Sequence, residues 1–301
     1  MQLTRNHFVA LPVAAAALCL SALGGAAGTP TNAPPRHDAE VRTGRGTFSA
    51  AFSKGSPLSA MAEVSRRFRS RLLEDTDGYD ITNETFMVRV PTNLEASSSW
   101  GLMVFVDPNG RGDMPPAWAD VLDRHRLLWI APKAAGNERE FLSRMRLAVD
   151  AAFNMRRQHT LDAERLYVAG VSGGGRVASV TALLYPDLFR GGYYMVGCDY
   201  FRPIPSEAQP NASYRAIFNE PPARLLELAK QKGRYVLLTG ETDGNRDQTI
   251  GVHRHGYMKD GFRNVTYIEV PKMGHASPDA EWFERGLAFL DGRTNSPAES
   301  V

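Results

Sequence analysis

The pentapeptide Gly170-Val171-Ser172-Gly173-Gly174, set between the apolar run Leu166 to Ala169 and the helix-like stretch Val177 to Leu184, constrains this chain more than any other feature. A strand that turns directly into a helix holds its central residue in a strained backbone and crowds the positions two before and two after. Glycines at 170 and 174 remove the clashing side chains. The hydroxyl of Ser172 is then exposed at the bend. The amide of Gly173 opens the helix, where unpaired donors and the positive end of the dipole favour negative charge developing on an oxygen. One turn thus offers a nucleophile and an oxyanion donor.

The first residues read as an export signal spanning 1–28: Arg5, an apolar stretch from Phe8 to Leu23 broken by Pro12, then small residues from Gly24 to Gly28. The stretch is short for a spanning helix and no later segment serves, so no membrane span is expected in the mature chain, which is expected to be secreted or periplasmic. Of the two cysteines, only Cys198 would survive cleavage, which excludes an intramolecular disulfide and makes stability depend on a packed core. Cys198 reads as a buried apolar residue rather than a nucleophile.

Residues 29–78 read as a disordered leader, rich in Pro, Gly and charge as far as Arg45, followed by a helix beginning at Ser56-Pro57. Leu58, Met61, Val64, Phe68 and Leu72 form that helix's apolar stripe, and Arg66, Arg67, Arg69 and Arg71 its solvated face. A formal net charge of +2 is too close to neutral to imply a nucleic-acid partner, and none is expected.

From Tyr79 to residue 293, strands and helices alternate in the manner of one α/β domain, a mostly parallel central sheet flanked by helices on both faces, with 294–301 a tail. Strands are expected at Glu84 to Val90, Leu102 to Asp107, Leu127 to Ala131, Leu166 to Ala169, Gly192 to Val196, Tyr235 to Thr239 and Val265 to Val270, and helices around Trp118 to Leu122, Glu138 to Met155 and Ala280 to Leu290. Reacting groups in such sheets gather beyond the carboxyl ends of the strands. Asp243 follows the strand ending at Thr239, and His275 follows the one ending at Val270. An imidazole, with a free pKa of about 6.5, can accept the serine proton and later return it, and a carboxylate can orient it. Asp247 and Glu241 in the same loop are rival acids. His253 and His255 fall on a helix, where residues two apart point in different directions, and no metal site is expected.

The loop Pro108-Asn109-Gly110-Arg111-Gly112 follows a central strand, and the amides of Asn109 or Gly110 are candidates for a second oxyanion donor beside Gly173. The segment Asp199 to Pro222 is either a small cap whose Tyr200 and Phe201 shape an acyl pocket or a plain Pro-rich connection. Trp118 is a further pocket candidate.

With Val104 to Gly110, Gly170 to Gly174, Tyr185 to Phe189, Gly240 to Asp243 and Gly274-His275, the chain resembles the α/β-hydrolases, more narrowly the polyhydroxybutyrate-depolymerase, feruloyl-esterase and dienelactone-hydrolase-related esterases, over roughly Tyr79 to Asp291. The chain order Ser172, Asp243, His275 is that of this fold. The resemblance implies carboxylic-ester hydrolysis through an acyl-enzyme on Ser172, without a cofactor, on a small-molecule or oligomeric ester. Pro108-Asn109-Gly110 stands where the common His-Gly oxyanion pair would be, and no polymer-binding module or Ser/Thr-rich linker follows Asp291. A peptidase of prolyl-oligopeptidase type, whose Gly-x-Ser-x-Gly-Gly pattern Gly170 to Gly174 also meets on extension to Gly175, and a silent binding protein on the same scaffold are the alternatives.

Overall fold

The computed structural model describes residues 34–71, 73–94 and 99–293. The export segment, Leu72 and the 294–301 tail lie outside them.

Among these residues a nine-stranded sheet runs in the order β1 (Arg36–His37), β2 (Gly46–Ala51), β3 (Thr85–Val90), β5 (Leu127–Pro132), β4 (Trp100–Val106), β6 (Leu161–Val171), β7 (Gly191–Met195), β10 (Arg234–Gly240), β11 (Val265–Val270). Only β2–β3 and β3–β5 pair antiparallel; every other pair is parallel. β4 is buried along its whole length, as expected of an apolar strand covered on both faces. Its Leu102, Val104 and Val106 enter one core with α2 (Met61–Phe68), α4 (Phe141–Gln158), α5 (Gly173–Leu184) and α6 (Ala223–Lys232). Met103 and Phe105 enter the other, with α3 (Ala119–Arg124) and α8 (Ala280–Leu290). The period of two along one strand therefore divides the two helical layers.

Three expectations are corrected near the N-terminus. The leader composition around Arg36 to Arg45 forms β1 and the helix α1 (Asp38–Thr43), and β2 adds a strand that pairs with β3 in full register, so the sheet begins well before Tyr79. Val41 and Phe48 provide the buried anchors. The helix expected from Ser56-Pro57 is broken. Pro57–Ser59 forms a single 3-10 turn, Ala60 is extended, and α2 starts at Met61. The 3-10 turn is held by Asp150 of α4, whose carboxylate accepts the Ser56 amide at 2.5 Å and the Ser59 hydroxyl at 2.8 Å. Arg67 is no part of a solvated face. It is 1% exposed, paired with Asp187 at 2.6 Å and with Glu63 at 2.7 Å, and donates to the Leu184 carbonyl.

Between β7 and α6, β8 (Ile204–Pro205) and β9 (Ser213–Tyr214) form a small antiparallel hairpin, and α7 (Arg246–Gly251) continues into a wider π turn over Val252–Met258. No helix among the described residues is long and apolar enough to cross a membrane.

Candidate active site

β6, β7, β10 and β11 are parallel neighbours, so the loops leaving their carboxyl ends share one end of the sheet. The turn from β6 into α5 places Ser172 at φ 53°, ψ −122°, a strained conformation for a residue with a side chain. Its amide is held by the Met195 carbonyl of β7 at 2.8 Å. A Cβ on Gly170 would collide with the Gly174 carbonyl, and one on Gly174 with that of Val106, so neither position admits a larger residue without moving backbone.

His275 and Asp243 arrive from the two neighbouring loops. Ser172 Oγ lies 2.7 Å from His275 Nε2, and His275 Nδ1 lies 2.8 Å from Asp243 Oδ1. A carboxylate beside Nδ1 fixes the proton there and leaves Nε2 to accept from the serine hydroxyl. Asp243 is itself held by the Thr239 hydroxyl at 2.8 Å on Oδ2 and by the Asn245 amide at 3.1 Å on Oδ1. The rival acids are engaged elsewhere. Asp247 accepts from Ser206 and Tyr214 hydroxyls at 2.7 Å and from the Ala208 amide at 2.8 Å, clamping the β8–β9 hairpin to α7. Burial opposes ionisation of Asp247, but these hydrogen bonds outweigh it and hold its carboxyl below the usual range. Glu241 takes the Lys272 amide.

The amide of Gly173 opens α5 and meets no backbone acceptor among the described residues. The loop nominated for a second donor has spent its amides. Asn109 N donates to Asp107 Oδ1 at 3.0 Å, Gly110 N to the Asp107 carbonyl at 3.3 Å, and Arg111 N and Gly112 N to Asp107 Oδ2 at 2.9 and 3.0 Å. The buried carboxylate of Asp107 folds this loop back on its own strand, so the backbone amides of Asn109 and Gly110 are not free for a substrate.

The aromatic pocket candidates are core. Trp118 is 0% exposed, stacked on Phe283 at 3.9 Å, with its indole N–H given to the Pro278 carbonyl. Tyr200 is buried with its hydroxyl on Asp260, and Phe201 stacks on it at 4.2 Å. Further along the same segment, Asn219 donates to the Phe68 carbonyl, so the stretch from 199 to 222 fastens α2 to α7. Cys198 is buried, and burial pushes its thiol up to about 12. His255 pairs with Glu207 at 2.7 Å, and no three His, Cys, Asp or Glu side chains among the described residues converge as a metal set.

Sequence reasoning missed Asn137 and Arg144. Arg144 of α4 is buried and donates to the Ala135 carbonyl at 2.8 Å and to Asn137 Oδ1 at 3.1 Å, with the Asn137 amide group packed over Gly173. Gly173 was the available signal: a third glycine in the elbow implies a close neighbour there.

The chain has the α/β-hydrolase fold. It is similar to a poly(3-hydroxybutyrate) depolymerase from Bordetella parapertussis at a TM-score of 0.51 and 16% identity, over 84% of this chain and 92% of that one. An esterase of the fungus Rhizomucor miehei matches at a TM-score of 0.51 and 16% identity, over 69% of this chain and 78% of the other. An ester hydrolase from the metagenome of Lake Arreo matches at 0.51 and 16%, over 70% and 79%. No protein-family model and no curated protein sequence matches the chain.

Proposed function

We propose that the chain is an exported serine hydrolase that cleaves carboxylic esters through an acyl-enzyme on Ser172. One observation carries this reading: the continuous hydrogen-bonded relay from the Ser172 hydroxyl through His275 to buried Asp243, at 2.7 and 2.8 Å. Ser172 Oγ attacks the ester carbonyl carbon as its proton passes to His275 Nε2, and the carbonyl electron pair moves onto oxygen facing the Gly173 amide. Collapse expels the alcohol, which takes the proton from Nε2. Water then repeats the sequence on the acyl-enzyme and releases the acid. Asp243 keeps Nδ1 protonated and stabilises the imidazolium between the two transfers.

Esters are favoured as substrates because esterases and a polyester depolymerase share this fold with the chain, and no cofactor is called for in the mechanism. Export rests on the segment from Arg5 to Gly28, read as a cleaved signal. The test is hydrolysis of p-nitrophenyl acetate and butyrate beside prolyl and aminoacyl p-nitroanilides. Ester turnover that vanishes in Ser172→Ala is expected. Preferential cleavage of the anilides would make the chain a peptidase, and undiminished turnover in a folded Ser172→Ala protein would remove the serine from the chemistry.

A further inference from the structure

With the Asn109 and Gly110 amides tied to Asp107, the reaction proposed above lacks its second oxyanion donor. Two loops meet beside the nucleophile. Asn137 N donates to the Pro108 carbonyl at 2.9 Å and Ala134 N to that of Gly110 at 2.7 Å, so the loop after β5 is fastened onto the loop after β4. From that support the Asn137 side chain reaches over the first residue of α5. A Cβ at Gly173 would collide first with Asn137 Oδ1 and come within 2.8 Å of Cγ and 3.1 Å of Nδ2, so the amide group, oxygen foremost, occupies the space directly over the residue whose backbone N–H opens α5. Asn137 is nonetheless exposed, which leaves its amide open to a bound molecule.

Chemistry fixes which end of that amide is which. A guanidinium only donates, so the Asn137 atom 3.1 Å from Arg144 must be the oxygen, and Nδ2 is turned away from Arg144. Asn137 Nδ2 meets no acceptor among the described residues, whereas its oxygen is held. Arg144 has no carboxylate within ion-pairing distance among the described residues, and burial lowers it only to about 10, so it remains cationic at neutral pH. That charge polarises the amide toward donation and adds positive potential behind it.

We infer that Asn137 is a catalytic residue whose Nδ2–H, together with the Gly173 amide, stabilises the oxyanion of the tetrahedral intermediate, and that Arg144 is the residue positioning it. This rests on the ester-hydrolase reading above. As the Ser172 Oγ–C bond forms, the carbonyl π pair becomes the oxygen lone pair that the two N–H groups receive. As the C–O bond to the alcohol breaks, the carbonyl re-forms and both donors relax.

The test compares Asn137→Ala and Asn137→Asp with the unsubstituted protein on p-nitrophenyl acetate. A fall in kcat of about 10²–10³-fold with KM nearly unchanged is expected for Asn137→Ala, because the donor acts on the transition state and not on the bound ester. Asn137→Asp keeps the shape, loses the donor and should fall at least as far. Arg144→Met should lower kcat by roughly tenfold alone and much less in the Asn137→Ala background, the coupling expected of a residue acting through another. A kcat for Asn137→Ala within about threefold of the parent, or a change confined to KM, overturns the assignment. Ser172→Ala run alongside separates the two readings: inactive Ser172→Ala with active Asn137→Ala removes only the oxyanion role. If the parent cleaves no ester, the rate of fluorophosphonate attachment to Ser172 reads the same donors through the phosphoryl oxygen. A parent inert to both overturns both readings.

Discussion

Asp243 and His275 meet at 2.8 Å with opposite exposures: the carboxylate side chain is 0% accessible and the imidazole 46%. The carboxylate is thus fixed beneath an imidazole that solvent can reach. Thr239 and Asn245 immobilise the carboxylate, so the imidazole plane is set from below without being enclosed. Replacing Asp243 by Asn puts a donor opposite Nδ1 and drives the ring proton to Nε2, where it blocks transfer from Ser172. Asp243→Asn should therefore lower kcat by about 10⁴-fold with the fold intact, the magnitude seen for this change in a serine protease of another fold. Asp247→Asn removes an anchor of the β8–β9 hairpin only, so its kcat should stay within about threefold of the parent. Parallel kcat measurements on the two variants decide which carboxylate serves the histidine, and reversed losses would exchange their roles.

Trp118 lies between Phe283, Phe105 and Trp129, with ring centroids 3.9, 5.8 and 6.2 Å away, in the core between the sheet and α8. Trp118→Ala should cost about 3–5 kcal/mol in urea unfolding, as large-to-small changes in packed cores do. Its kcat and KM per folded molecule should match the parent. A selective change in KM toward bulky acyl chains would return this residue to a substrate pocket.

The sheet from Thr85 onward was legible because its central strands are apolar runs and its outer ones, such as TFMVRV of β3, alternate apolar with polar residues, and the serine turn was legible because steric crowding leaves glycine alone at its flanks. The His275 and Asp243 loops followed from strand ends. Three things were hidden for physical reasons. β1 and β2 carry ordinary polar and small residues whose pairing depends on β3, a non-local partner that composition cannot express. Arg67 reads as surface from its charge, and it is Asp187, 120 positions later, and the Leu184 carbonyl that join nearby Glu63 to make its burial tolerable. The Pro108 to Gly112 amides look available until the carboxylate of Asp107 turns back on them. In the first two cases a contact distant in sequence overrode a local pattern, and in the third a side chain two to five positions away did.

Arg67 ties α2 to the segment after α5 through Asp187 and the Leu184 carbonyl, with its guanidinium also over the Tyr185 ring at 4.3 Å. Arg67→Met retains much of the volume but strands a buried carbonyl and a half-exposed carboxylate. A loss of about 2 kcal/mol is expected, below that for a fully enclosed ion pair because the Asp187 side chain is 36% accessible. Denaturant midpoints for Arg67→Met and the double variant Arg67→Met/Asp187→Leu measure it. The double variant should regain part of the loss, and a double variant no better than the single one would assign the effect to packing alone.

Asp291 closes α8 and gathers His125 Nδ1 at 2.7 Å, Arg165 at 2.9 Å and the Tyr167 hydroxyl at 3.0 Å, with its side chain 2% accessible. Burial alone would raise this carboxyl. The His125 hydrogen bond and the Arg165 charge outweigh it and hold the group below its ordinary value of 3.8. For a carboxylate whose folded pKa is depressed, the stabilisation is fully present above the unfolded pKa and is lost as pH falls through the folded one. Asp291→Asn should thus cost about 2–3 kcal/mol near pH 7, where three donors lose their charged acceptor. The difference from the parent should shrink on acidification below about pH 4, as the parent's carboxylate is protonated and forfeits the same interactions. Urea unfolding of both proteins at a series of pH values measures the gap. A gap that stays constant into the acid range would mean that Asp291 acts through shape and hydrogen-bond number, with its charge contributing nothing.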